Sequence, residues 1–298
     1  MPIELHSLTK QYRRGRDAVS GLTLKVEPGS VFALMGRNGA GKTTTIHLLL
    51  DLLRPSGGEA CLFGVPSPRL RPQHRQRIGY VSENQHLPGW MRVDQFLRFL
   101  KPMYPTWNDS LTNKLVKLFA VPLDQKLHHL SRGQRMKAAF LGALCYQPEL
   151  LILDEPFSGL DSVIRQDLLD ALVDYLAEGG RTVLLSSHDL EEVERLTDTI
   201  GVLENGRLAL HGKVDELLSA AREVVFTTAA AQPAGTPPRE WWNVVTGPLG
   251  STFTATEVTD DHTLAAAVQQ HWPDATALTI RPAGLRRLYI DFLRQSQP

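Results

Sequence analysis

The stretch Gly36-Arg37-Asn38-Gly39-Ala40-Gly41-Lys42-Thr43-Thr44 holds residue types that bind phosphate, at the spacing G-x-x-x-x-G-K-[ST]. Glycines let backbone N–H groups converge on phosphate oxygens without side-chain interference. A helix starting near Lys42 points its positive end at the same oxygens. The Lys42 ammonium reaches the terminal phosphates, and the Thr43 hydroxyl suits Mg2+. The flanks fit too: residues 31–35 form an apolar run, and Ile46, Leu49 and Leu53 follow at helical spacing.

A second group lies downstream. Leu150-Leu151-Ile152-Leu153 is an apolar strand ending in Asp154 and Glu155. Acidic residues at a strand end are often structural, but after a phosphate loop they gain a role. Asp154 is placed to hold Mg2+ through water and Glu155 to polarise an attacking water. Leu130-Ser131-Arg132-Gly133-Gln134 reads, taken alone, as a helix start with Ser131 as the cap.

With Ser187-His188, these segments make the chain resemble the nucleotide-binding subunit of an ATP-binding-cassette (ABC) transporter over about residues 1–218. The resemblance implies an ATPase that takes ATP and Mg2+ and works as a head-to-tail dimer. ATP is then sandwiched between one subunit's phosphate loop and the signature of the other, where Ser131, Gly133 and Gln134 meet the γ-phosphate. It further implies that Tyr12 stacks on adenine, that Asp161 in Ser158-Gly159-Leu160-Asp161 crosses the interface, and that Glu155 and His188 are catalytic. Thr43, Glu83 and Asp154 become the metal residues. The implied partners are a transmembrane permease and a second cassette, at the cytoplasmic face of the inner membrane, with no nucleic acid.

Two positions depart from the family pattern. Glu83 stands where Gln is usual, with Gln85 as a substitute for the role. Arg132 replaces the first glycine of L-S-G-G-Q and is expected either near the opposite nucleotide or in solvent. Glu83 and Met103-Tyr104-Pro105-Thr106-Trp107-Asn108 resemble a bacterial export-type subgroup. In the family, the groove near Glu83 receives a helix of the membrane subunit; Leu87, Trp90 and Met91 are either its docking patch or subdomain core. A cassette serving translation, DNA repair or metal-cluster assembly fits less well, because there is one motif set, no sustained heptad, and an appendage.

The elements that must position these residues follow from periodicity. Strands alternate with helices, which argues for a largely parallel sheet. The expected fold class is α/β, a P-loop NTPase core of ABC type with an antiparallel β subdomain. An inserted helical subdomain is expected at about residues 84–148, with helical faces at Val93, Phe96, Leu97, Leu100 and at Leu111, Leu115, Leu118, Phe119. A helix is expected over 189–196, and Asn205-Gly206 marks a hairpin. Residues 219–298 read as a small α+β appendage. It has a linker at 229–238, strands at 252–258 and 277–280, and helices at 263–271 and 285–293. Trp241 and Trp242 are expected in a core or an interface; His262 and His271 stand isolated.

The 298 residues carry 32 basic and 32 acidic side chains, which gives no general attraction to nucleic acid or an anionic membrane. Cys61 and Cys145 lie far apart, which disfavours a disulfide framework or a zinc site and fits a reducing cytoplasm. The first residues do not read as a signal peptide. No run approaches the ~20 apolar residues of a membrane span, so work at a membrane is expected through a partner.

Overall fold

A computed structural model describes residues 1–298 apart from 13, 14, 16, 191–193, 231, 248, 249 and 296–298. The middle of the helix expected over 189–196 therefore lies outside the described residues. The chain forms two compact units, Met1–His211 and Gly212–Pro298. Within the second unit, Leu217 on the helix Val214–Ser219 folds against Gly212.

In the first unit, β1 (Ile3–Gln11) and β2 (Asp17–Val26) pair antiparallel, so Ile3 faces Val26 and Leu5 faces Leu24. Leu22, Leu24 and Val26 are buried on the alternation expected for a half-buried strand. β3 (Val31–Met35) follows and is buried at every position. The phosphate loop and α1 (Lys42–Leu49) come next. β4 (Gly57–Leu62) and β5 (Val65–Pro66) complete an antiparallel sheet of order β2-β1-β4-β5. A short α2 (Pro72–Arg75) leads to β6 (Ile78–Ser82).

The helical insertion contains α3 (Val93–Leu100), α4 (Asp109–Phe119) and α5 (Arg132–Leu144). The side chains expected to share a face do so: Phe96, Leu97, Leu115, Phe119 and Phe140 are buried in one cluster. Asn108 caps α4, its Oδ1 accepting from the Leu111 N–H at 2.9 Å.

The chain then returns through β7 (Leu150–Asp154), α6 (Ser162–Ala177), β8 (Thr182–Ser187), β9 (Thr199–Glu204) and β10 (Arg207–Lys213). The resulting sheet has the order β10-β9-β3-β8-β7-β6. β3 pairs parallel with β8 and β9, and β7 pairs parallel with β8 and β6. β3, β7 and β8 are buried throughout, as parallel strands covered on both faces must be.

The second unit holds the strands Arg222–Thr227 (β11), Trp241–Val245 (β12), Ser251–Ala255 (β13) and Thr276–Pro282 (β14). Their order is β12-β13-β11-β14, antiparallel, with helices Asp261–His271 and Leu285–Gln295. β11 and β12 were not anticipated. Trp241 belongs to the core, stacked on Phe253 at 4.4 Å between centroids, and Trp242 meets Phe292 at 5.5 Å. Among the described residues no helix is long and apolar enough to cross a membrane.

Candidate nucleotide site

Parallel register gathers the motifs at one sheet edge. Met35 pairs with Ser187, Ser186 with Asp154, and Asp154 with Ser82. The residues just beyond these strand ends are Gly36, His188, Glu155 and Glu83. Open α/β sheets bind ligands at the carboxyl ends of their strands, where outgoing loops converge.

The phosphate loop is held by backbone contacts that exclude side chains. A Cβ on Gly36 (φ +150) would lie 2.5 Å from the Leu203 carbonyl oxygen, and one on Gly41 (φ +111) 2.3 Å from that of Ala18. Only glycine fits both the torsion and the space. Gly41 immediately precedes α1, whose first-turn N–H groups lack intrahelical partners and so are open to an anion. Lys42 is only 5% exposed; its Nζ donates to the Gly36 carbonyl at 2.7 Å and lies 3.0 Å from Glu155 Oε1. Asn38, Gly39, Lys42, Thr43, Glu155 and His188 are among the walls of a cavity of about 310 Å3.

The carboxylates are fixed by β8. Ser186 Oγ donates to Asp154 Oδ1 at 2.6 Å, and Thr43 Oγ1 donates to the same oxygen at 3.1 Å. The Glu155 N–H meets both the Ser186 carbonyl (3.1 Å) and Ser186 Oγ (3.0 Å). These bonds hold Glu155 at φ +50, a left-handed torsion that costs a non-glycine residue about 1 kcal/mol or more. Its Oε2 lies 2.7 Å from His188 Nδ1, while the buried Oε1 makes no hydrogen bond and faces the Lys42 ammonium. Ser186 was missed from the sequence; its place at a strand end, just before the quoted Ser187-His188, was the available signal.

The signature residues lie elsewhere. Ser131 caps α5 by accepting the Gln134 N–H at 3.2 Å, and the Gln134 side chain accepts the Ser131 N–H at 3.0 Å. Gly133 is buried against α6, where a Cβ would sit 2.0 Å from Ile164 Cδ1. Asp161 caps α6, accepting from the N–H groups of Val163 and Ile164 at 3.1 and 3.0 Å. None of Ser131, Gly133, Gln134 and Asp161 is among the residues walling the phosphate cavity of their own chain. Tyr12, just past β1, is 47% exposed and also outside that wall, with Lys10 Nζ 5.6 Å from its ring centroid.

Arg132 is half-exposed, with its side chain 47% accessible. It binds Glu83 of its own chain, Nη2 to Oε1 at 2.9 Å. Glu83 does wall the phosphate cavity. Gln85 turns its Oε1 to the Ser82 N–H at 2.9 Å, engaging the turn instead of the cavity. Of the apolar trio, Met91 is core and Leu87 packs on that core, whereas Trp90 is 70% exposed. A neighbouring cavity of about 440 Å3 shares Glu83 and is walled by His86, Leu87, His128 and Arg135.

The model of the ABC transporter family matches residues 19–158. The ABC transporter ATP-binding protein YtrB of Bacillus subtilis is 32% identical over 215 residues, which cover 72% of this chain and 73% of that protein. The chain belongs to the ABC transporter ATP-binding family. The Nod factor export ATP-binding protein I of Cupriavidus metallidurans is 36% identical over 207 residues, covering 68% of each chain. A model of an AAA domain, described as a putative AbiEii toxin, also matches residues 123–194. Among solved structures, the ATP-binding subunit of an ABC transporter aligns with TM-score 0.65 and 28% identity, over 72% of this chain and 91% of the other. The structure of cbiO1 from Clostridium perfringens, part of the ABC transporter complex cbiONQ, aligns with TM-score 0.59 and 28% identity, over 71% and 88%. This cassette is an ATP-binding and ATP-hydrolysing subunit, with the α/β core, antiparallel β subdomain and helical insertion that its motifs imply.

Proposed function

We propose that this cassette powers export through a separate membrane subunit, with two ATP molecules held between two cassettes arranged head to tail. The observation that carries the reading is the split site. Lys42, Glu155 and His188 meet in one chain, whereas Ser131, Gly133 and Gln134 stand on α5 away from that chain's phosphate cavity. A second copy supplies the missing wall, its Ser131 side chain and Gly133 backbone N–H at the positive end of α5 meeting the γ-phosphate. Asp161 crosses at the same interface, and Tyr12 carries the adenine. Export is favoured by the Nod factor export relatives.

Magnesium fits the site's donors. Thr43 Oγ1 and Asp154 Oδ1 lie 3.1 Å apart, with the Glu83 carboxylate in the same cavity wall, and hard oxygen donors suit that ion. When bound, it neutralises charge on the phosphates. The chain's residues do the rest. The loop's N–H groups and Lys42 hold the phosphates. The Glu155 carboxylate, whose backbone N–H is held by Ser186 and whose oxygens face Lys42 and His188, accepts the proton of the attacking water, and His188 orients that water through its contact with Glu155.

The groove beside Glu83, with exposed Trp90 at hand, receives a cytoplasmic helix of the membrane subunit. The cassette then sits peripherally on the cytoplasmic face of the membrane. The core cassette runs to about residue 218, and 219–298 regulate or stabilise the dimer. Purification from a detergent-solubilised membrane fraction tests the assignment: a co-purifying membrane protein is expected, and an exclusively cytosolic complex overturns it.

A further inference from the structure

Both departures from the family pattern meet at one carboxylate. Arg132 Nη2 donates to Glu83 Oε1 at 2.9 Å and to the Ser158 carbonyl at 2.7 Å. Ser158 Oγ donates to that same Glu83 oxygen at 2.9 Å. The Glu83 N–H donates to the Asp154 carbonyl at 2.8 Å, so the carboxylate hangs from the end of β6 beside the metal-binding strand. The guanidinium lies against Gly159, where a Cβ would come within 2.9 Å of Nη1. Three segments thus converge on one ion pair: the loop after β6, the start of α5 and the loop after β7.

Each charge is unfavourable by itself. Arg132 is the first residue of α5, where the helix's positive end disfavours a cation. Glu83 adds a carboxylate to a cavity wall that already holds Glu155 and must take polyphosphate. Together the charges cancel. Glu83 Oε1 is engaged by Arg132 and Ser158, so full use of this carboxylate by a metal requires Arg132 to withdraw.

We propose that Glu83 and Arg132 form a single positioning unit. Before ATP binds, the pair pins the start of the signature helix to the loops after β6 and β7 of its own chain. ATP loading exchanges the Arg132 partner of Glu83 for the metal. The proposal rests on the reading of Glu83 as a metal residue, and it makes Arg132 the residue that sets how strongly ATP binding depends on that metal.

The test is a double-mutant cycle in the full chain: Glu83→Gln, Arg132→Met and both together. Arg132→Met keeps the aliphatic stem at the helix start. Affinity for a non-hydrolysable ATP analogue is measured calorimetrically with Mg2+ and with EDTA, and melting temperature without nucleotide. Arg132→Met is expected to raise the ratio of magnesium-bound to metal-free affinity at least about threefold with Glu83 present, and to leave it unchanged in the Glu83→Gln background. A ratio that Arg132→Met leaves unchanged with Glu83 present, or shifts equally in both backgrounds, overturns the proposal whatever the melting temperatures do. The cycle is independent of any membrane partner, so failure of the transporter assignment would not affect it.

Discussion

Lys42 Nζ lies 3.0 Å from Glu155 Oε1, with the two side chains only 5% and 12% exposed. The residue that grips phosphate is thus paired with the residue that activates water. An incoming nucleotide must compete with Glu155 for the ammonium.

Removing that competitor's charge has two opposite effects. Glu155→Gln is expected to bind ATP more tightly and to hydrolyse it about 100-fold or more slowly, the worth of a general base. The variant accumulates as an ATP-bound dimer in size-exclusion chromatography. Full turnover by this variant would remove Glu155 from the mechanism.

Lys42→Ala deletes the other half. It removes a charge-assisted hydrogen bond to phosphate, worth about 1.5–3 kcal/mol, so ATP affinity should fall at least ~10-fold by calorimetry. The same change strands the buried Glu155 Oε1, which makes no hydrogen bond, and the melting temperature should fall as well. An unaltered affinity would contradict the placement of Lys42.

These pairings show what sequence reading reaches. The phosphate loop, the carboxylates at the end of β7 and the signature are legible because their chemistry sits in consecutive residues. The helical faces around Phe96 and Leu115 are legible by period. The pairing of Glu83 with Arg132 is not, because 49 residues separate them and only the return of the chain through α5 brings them together. The left-handed Glu155 is likewise set by Ser186 on another strand. β11 and β12 were passed over because Arg222-Glu223 and Trp241-Trp242-Asn243 lack polar–apolar alternation; the packing of Trp241 on Phe253 decides that fold.

At Gly133, space sets the residue. A Cβ on Gly133 would come 2.0 Å from Ile164 Cδ1, so the Ile164 side chain must repack between α5 and α6 and Gly133→Ala should cost about 1 kcal/mol in denaturant unfolding. Adding Ile164→Val removes Cδ1 and should recover most of the loss. No recovery would mean that the two helices do not meet as described.

The metal reading predicts a hydroxyl requirement. Hydrolysis should stop in EDTA and return with Mg2+. Thr43→Ser should retain activity, whereas Thr43→Val should lose it while keeping its melting temperature within a few degrees. An active Thr43→Val would exclude the Thr43 hydroxyl as a metal donor.

The buried thiols offer a probe of folding. Burial pushes Cys145 up to about 11 and also raises Cys61. At pH 8 about one Cys145 in a thousand is then thiolate, against roughly one in four for an exposed cysteine. Native protein should resist alkylation at Cys145, and denatured protein should react at once. The stability Cys145 contributes is complete below the ordinary thiol range and is lost as pH rises toward 11.

The parallel register of β6, β7, β8 and β3 has a consequence for how this sequence can drift. Any aliphatic side chain of similar volume serves inside β7, whose positions are all buried. One inserted or deleted residue there is another matter. It would turn Asp154 away from Thr43 and Ser186 and carry every later side chain to the opposite face. The strand interior is therefore free in spelling and fixed in length, and frame-preserving indels should survive selection in the loops but not between Leu150 and Asp154.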